Sequence, residues 1–149
     1  MKTRVYVETP IISYLTARPN RDLIIAGQQQ VTHEWWQTSR HDFALVSSQL
    51  VAREAGAGDP EAAKERLVPL GELSLLEITE ESLALAQHIL QIRAIPVGYP
   101  EDALQVAVAV VNGIEYLLTW NYSWTLDNRA ARACLRMQPS KQLSKHGSP

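Results

Sequence analysis

The sequence has only one cysteine, Cys134, among its 149 residues. A single cysteine excludes an intrachain disulfide, so nothing in the composition calls for an oxidising compartment. The first ten residues, MKTRVYVETP, also lack the apolar stretch of a secretory signal peptide. We therefore expect a cytoplasmic protein.

A strong excess of one charge is missing as well, because 14 basic residues stand against 16 acidic ones. The formal net charge of −2 predicts no global attraction to nucleic acid or to a membrane, so a polyanion must be held by local features. The most apolar region, residues 103–120, is interrupted by Asn112, Gly113 and Glu115 and is too short for a membrane span. There is no glycine-rich phosphate loop, which weighs against a small nucleotide-binding domain. We expect a soluble protein without a membrane partner.

Short apolar runs alternate with helical patterns along the chain. The β-prone runs cover residues 5–7, 43–46, 73–78 and 114–120, and amphipathic or capped segments lie between them. This alternation predicts an α/β fold with a central parallel sheet covered by helices on both faces. The length fits one domain, residues 1–138, and the polar residues 139–149 are expected to form a flexible tail.

Capping residues predict where several helices begin. Thr9 before Pro10 predicts a helix start directly after the first strand, with the threonine hydroxyl as the N-cap. Ser47 and Ser48 are expected to cap a helix over residues 49–55, and Gly113 is expected to end the helix that PEDALQVAVAV begins. These starts and stops place several polar residues at the same edge of the sheet.

Ligands of a parallel α/β sheet bind at the carboxyl edge of its strands, where the following helices begin. Glu8 ends the first strand, Asn121 follows the fourth, and Asp102 opens the helix before the fourth, so all three are predicted at this edge. Glu54 lies about five residues into its helix, roughly 7 Å from the edge, so that helix would have to lean over the site. Oxygen ligands without histidine or cysteine suit a hard cation such as Mg²⁺ or Mn²⁺.

Each of these residues also has an ordinary structural explanation. Glu8 can face solvent at a strand end, and Glu54 can be an exposed helical residue. Asp102 and Glu101 can both serve only the helix dipole, which is worth about 0.3 to 1 kcal/mol per charge. Asn121 can be a turn former. Spacing alone leaves these alternatives open.

Four stretches of the chain together resemble the PIN-domain family of metal-dependent ribonucleases, especially the VapC-type toxins of bacterial toxin–antitoxin pairs. They are VYVETPIISYL, VTHEWWQ, SSQLVAREA and PEDALQVAVAVVNGIEYLLTWN, and the resemblance covers roughly residues 3–122. It implies a three-layer α/β/α sandwich with a parallel sheet of four or five strands. The residues that match the family's acidic positions are Glu8, Glu54, Asp102 and Asn121.

The resemblance implies that Glu8, Glu54 and Asp102 bind Mg²⁺ or Mn²⁺ and that Asn121 supports catalysis. Thr119 matches a hydroxyl that family members often place near the fourth acid. Glu8 stands where the family usually has aspartate, and Asn121 where it often has an acid. The implied activity is hydrolysis of RNA phosphodiester bonds by a toxin that binds a cognate antitoxin and forms a homodimer.

Two departures favour a second hypothesis, a degenerate PIN-fold protein that only binds an antitoxin or RNA. One is the pair of substitutions at Glu8 and Asn121. The other is the segment after residue 122, which predicts a short helix over residues 127–136 in place of the family's fifth strand.

Overall fold

The structure is a computed structural model that describes residues 2–95 and 98–120. Its strands are β1 (Thr3–Val7), β2 (Phe43–Ser48), β3 (Ser74–Leu76) and β4 (Tyr116–Leu118). Its α-helices are α1 (Thr9–Thr16), α2 (Leu23–Thr38), α3 (Gln49–Ala55), α4 (Pro60–Leu70), α5 (Glu80–Gln91) and α6 (Pro100–Val111), and a short 3-10 helix covers Arg40–Asp42. The helix predicted over residues 127–136, where the family has its fifth strand, and the predicted tail lie outside the described residues.

The strands form one parallel sheet in the order β3-β2-β1-β4. Thr3 of β1 lies opposite Phe43 of β2, and Val7 of β1 lies opposite Leu118 of β4. This sheet, flanked by helices, confirms the predicted α/β class, and the order of elements is the one typical of α/β/α sandwiches. β3 and β4 are shorter than the apolar runs that predicted them.

The N-cap predicted for α3 agrees with the structure, whereas the N-cap predicted for α1 does not. Ser48 caps α3 by accepting a hydrogen bond from the Val51 N–H at 3.3 Å, as predicted. Ser47 instead donates to the Val7 carbonyl of β1 at 2.8 Å. Thr9 is not the N-cap of α1, because that position belongs to Glu8 and the helix begins at Thr9 itself. The Thr9 hydroxyl is thereby available for a contact distant in the sequence.

By their internal contacts the described residues divide into two compact units. The first contains residues 2–78 and 114–120, and therefore the whole sheet with α1 to α4. Its core is made of apolar residues from β1, α1, β2 and α3: Val5, Val7, Ile11, Ile12, Val46, Leu50 and Val51. Of the predicted site residues, Glu8, Glu54 and Thr119 lie in this unit.

The second unit contains residues 79–113 within the described part of the chain. It consists of α5 and α6, which pack against each other. Thr79 and Ser82 form a reciprocal capping box at the start of α5. Gly113 follows the end of α6 with a φ of 68°, in agreement with its predicted role as the residue after the C-cap.

The described residues contain no helix that is both long enough and apolar enough to cross a membrane. The prediction of one domain over residues 1–138 stays a prediction.

Candidate functional site

Glu8 is placed at the carboxyl edge of the sheet by the end of β1. It follows Val7 directly, and its backbone N–H donates to the Leu118 carbonyl of β4 at 3.4 Å. Although Glu8 is the N-cap residue of α1, its side chain makes no capping hydrogen bond. The residue is only 2% exposed, so its carboxylate is buried instead of facing solvent at a strand end. A buried carboxylate is costly to keep charged without compensation, which makes this position unusual.

Three hydrogen bonds made by side-chain hydroxyls link the end of β1 and the start of α1 to the end of β2 and to α3. The Tyr6 and Ser48 hydroxyls lie 2.7 Å apart. Ser47 reaches the Val7 carbonyl, and the Thr9 hydroxyl donates to Oε2 of Glu54 at 2.7 Å. These contacts join residues 40 to 45 positions apart, so they fix the two strand ends together.

The contact with Thr9 shows that Glu54 does reach this edge. Glu54 is half-buried near the end of α3, a helix of seven residues. A helix this short has little stability of its own, so its position depends on tertiary contacts. Arg66 supplies one at the C-terminal end, where Nε donates to the Ala55 carbonyl at 2.8 Å. The Thr9 contact brings the Glu54 carboxylate to the residue that follows Glu8, while the predicted lean of this helix stays a prediction.

The phenol of Tyr6 is influenced by the carboxylates of Glu8 and Glu54. It is fully buried, and this burial raises the pKa of its phenol well above the ordinary value. The hydrogen bond with Ser48 acts in the opposite direction, while the negative charges of Glu8 and Glu54 raise the pKa further. Both negative charges therefore act on the same hydroxyl, and the Tyr6 phenol stays neutral at physiological pH.

The raised pKa of Tyr6 predicts a loss of stability in alkali. Above a pH of about 10, an unfolded tyrosine loses its proton while buried Tyr6 keeps it. The free energy of unfolding should then fall by up to roughly 1.4 kcal/mol per pH unit from this group. Tyr6→Phe should remove that part of the slope in denaturant titrations between pH 9 and 11.5. Tyr116→Phe, at a residue 60% exposed, is the control and should leave the slope unchanged. Equal slopes in the parent and Tyr6→Phe would contradict this assignment.

The donor set formed by Glu8, Glu54 and Thr9 contains only oxygen atoms, which is what a hard cation prefers. Mg²⁺ commonly binds proteins through one or two carboxylates and keeps several waters, so a pair of glutamates fits it. Within residues 2–95 and 98–120, no three histidine, cysteine, aspartate or glutamate side chains form a group that could hold a metal ion. The cation site with three carboxylates thus stays a prediction.

Asp102 belongs to the second unit, where it is the third residue of α6. It is half-buried, whereas its neighbour Glu101 is exposed. Tyr99, the N-cap residue, makes no side-chain capping bond, so the two acids are the favourable charges in this first turn. The two acids, Glu101 and Asp102, are thus distinguished by their burial. The predicted convergence of Asp102 with Glu8 stays a prediction, and Asn121 lies outside the described residues.

Thr119 and Trp120 follow β4 directly. The Trp120 indole N–H donates to the Thr32 hydroxyl of α2 at 2.8 Å, and its ring packs 6.3 Å from the Tyr14 ring of α1. These contacts fix the chain just before Asn121 to the first unit. Sequence reasoning missed Trp120, because neither partner is close to it in sequence.

A cleft of about 290 Å³ lies between α1, α2 and α4. Its apolar lining comes from Leu15, Trp36, Val68 and Pro69, and its polar lining includes Arg40 and Glu72. The Arg40 guanidinium pairs with Glu72 at 2.8 Å and lies 4.9 Å from the centroid of the Trp36 ring. The spacing of Trp36 and Arg40, four residues apart, was a local signal for their contact, but only the tertiary fold forms the cleft.

Comparison of this chain with models of known protein families, with curated proteins and with solved structures returns no match.

Proposed function

We propose that this protein is a Mg²⁺- or Mn²⁺-dependent endoribonuclease that hydrolyses RNA phosphodiester bonds as the toxin of a toxin–antitoxin pair. The observation that carries the proposal is the pair of carboxylates at the carboxyl edge of β1 and β2, where Glu8 is 2% exposed and Glu54 is held by Thr9. The carboxyl edge of a parallel sheet is where α/β proteins bind ligands, and a carboxylate at that edge supplies the oxygen atoms that a hard cation prefers.

In this proposal Glu8, Glu54 and Asp102 hold the cation, and Asn121 supports the ion or the attacking water. A bound Mg²⁺ or Mn²⁺ would orient water, lower its pKa and neutralise charge on the phosphate. The carboxylates contribute negative charge that attracts the cation. The Thr9 hydroxyl orients the Glu54 carboxylate, and the nearby Tyr6 phenol stays uncharged. The chain is acidic overall, so the cation also offsets repulsion between the site and the RNA.

The proposal predicts that RNA cleavage requires an added hard cation. Purified protein should cut single-stranded RNA in Mn²⁺ or Mg²⁺, lose the activity in excess chelator, and regain it when the metal is restored. Zn²⁺ should substitute poorly, because the proposed ligands contain no histidine or cysteine. Cleavage that continues unchanged in chelator would contradict the proposal.

The cleft between α1, α2 and α4 favours a second candidate function, a PIN-like protein that binds an antitoxin or RNA without cutting it. A cleft lined by both apolar and charged side chains is the kind of surface that a partner segment occupies. The cognate antitoxin, an RNA substrate and a homodimer are all proposed partners, and cytoplasm is the proposed location. The two candidates are distinguished by cleavage itself, since only the first requires turnover of RNA.

A further inference from the structure

The Thr9 hydroxyl makes a contact that the local structure does not require. Thr9 is the first residue of α1, but the N-cap position belongs to Glu8, so the hydroxyl is not used to begin the helix. It instead donates to Oε2 of Glu54 at 2.7 Å, across 45 positions in the sequence. A hydrogen bond to an ionised acceptor is stronger than one between neutral groups, so it can orient the carboxylate that accepts it.

The backbone of α3 is held by other contacts. Ser48 caps its start through the Val51 N–H, and Arg66 donates to the Ala55 carbonyl at its end. The Thr9 bond acts on the far end of the Glu54 side chain, which has several rotatable bonds between the helix and the carboxylate. A carboxylate has about four lone-pair sites, so the Thr9 hydroxyl takes up only part of its capacity to accept.

We propose that Thr9 is a positioning residue, which holds the Glu54 carboxylate in the orientation that binds a divalent cation together with Glu8. The inference rests on the proposed function and deepens it. One dipeptide, Glu8-Thr9, then performs two tasks at the end of β1: its first residue supplies a ligand, and its second orients the ligand that comes from α3. Polar groups that orient a metal ligand commonly change metal affinity 10- to 100-fold when they are removed.

The test is a titration of the full chain with Mn²⁺ alone. Electron paramagnetic resonance measures the concentration of the free ion at each step and so gives the Kd for Mn²⁺. Thr9→Val keeps the shape and removes the donor, and it should raise the Kd for Mn²⁺ by roughly tenfold or more. Thr9→Ser keeps a hydroxyl and should stay within about threefold of the parent, by the same reasoning. Thr38→Val is the matched control, because the exposed Thr38 hydroxyl donates to the Glu34 carbonyl of its own helix at 2.7 Å and lies 3.4 Å from the Ser39 hydroxyl.

A merely structural role for Thr9 predicts a different pattern. In that case Thr9→Val lowers the stability measured in chelator and leaves the affinity for Mn²⁺ unchanged. A double-mutant cycle with Glu54→Gln gives a second readout, because Thr9→Val should have little further effect on Mn²⁺ binding once the Glu54 carboxylate is gone. If the valine variant folds poorly, Thr9→Ala removes the same donor and takes its place in the cycle.

The outcomes separate this inference from the proposed function. If the parent binds Mn²⁺ and Thr9→Val weakens binding while Thr9→Ser restores it, the inference holds, even if RNA stays uncut and the nuclease proposal fails. If the parent and Thr9→Val bind Mn²⁺ equally, Thr9 is not a positioning residue and the nuclease proposal can still stand. If the parent binds no Mn²⁺, the inference is overturned.

Discussion

Asp102→Asn should reduce the rate of Mn²⁺-dependent RNA cleavage by on the order of a thousandfold, which corresponds to about 4 kcal/mol of transition-state stabilisation. The substitution keeps the shape of the side chain and removes its charge. Loss of one strong electrostatic contribution in an active site commonly has an effect of about this size. The initial rate of cleavage of a fluorogenic single-stranded RNA measures it.

Glu101→Gln is the matched control, because both acids lie in the first turn of α6. Either change removes one charge from the helix N-terminus, so each should lower the stability by a similar amount, about 0.3 to 1 kcal/mol. Glu101 is exposed whereas Asp102 is half-buried, and only Asp102 is a proposed ligand. Cleavage by Glu101→Gln should therefore stay close to that of the parent. Equal rates for both variants would reduce the role of Asp102 to that of a helix-dipole residue.

The second large effect is expected in the core. Ile12 in the first unit and Ile89 in the second are both 0% exposed, so replacing either with alanine should lower the free energy of unfolding by roughly 2–5 kcal/mol. Leu23→Ala, at a residue 87% exposed, is the control and should change it by no more than about 0.5 kcal/mol. Denaturant titrations followed by circular dichroism measure all three.

The same pair of variants tests the prediction of a single domain. The chain enters the second unit after β3 and returns to the first in β4, which pairs with β1 inside the sheet. Completing the sheet thus requires the chain to pass through residues 79–113, and we expect both units to unfold in one transition. Ile12→Ala and Ile89→Ala should then shift the same single transition. Two transitions, each moved by only one of the variants, would contradict it.

Local patterns were sufficient to predict most elements of the fold. Ser48 caps α3 as predicted, because an N-cap acts on neighbouring backbone groups only. Thr9 shows where this reasoning fails. Its position before Pro10 is that of a cap, but a carboxylate brought close by tertiary folding competes for the hydroxyl. No rule of local spacing contains that competitor.

The candidate site was predictable to a similar degree. The end of β1 placed Glu8 at the edge, because strand ends can be read from the sequence. Its burial could not be predicted, since burial depends on what packs over the strand end. The position of the Glu54 carboxylate depends on Thr9, 45 positions away in the sequence, and the end of α3 is held by Arg66. The cleft between α1, α2 and α4 was not predicted for the same reason.

The measurement that tests the proposed cation site most directly is the rate of Mn²⁺-dependent RNA cleavage by the parent and by Glu8→Gln. Glu34→Gln, an identical chemical change at an exposed residue of α2, is the control. We expect the parent and Glu34→Gln to cleave RNA at similar rates, and Glu8→Gln to lose on the order of a hundredfold or more while remaining folded by circular dichroism. Cleavage by Glu8→Gln at the parent's rate, or none by a folded parent, would contradict the proposed role of Glu8 as a cation ligand of a ribonuclease.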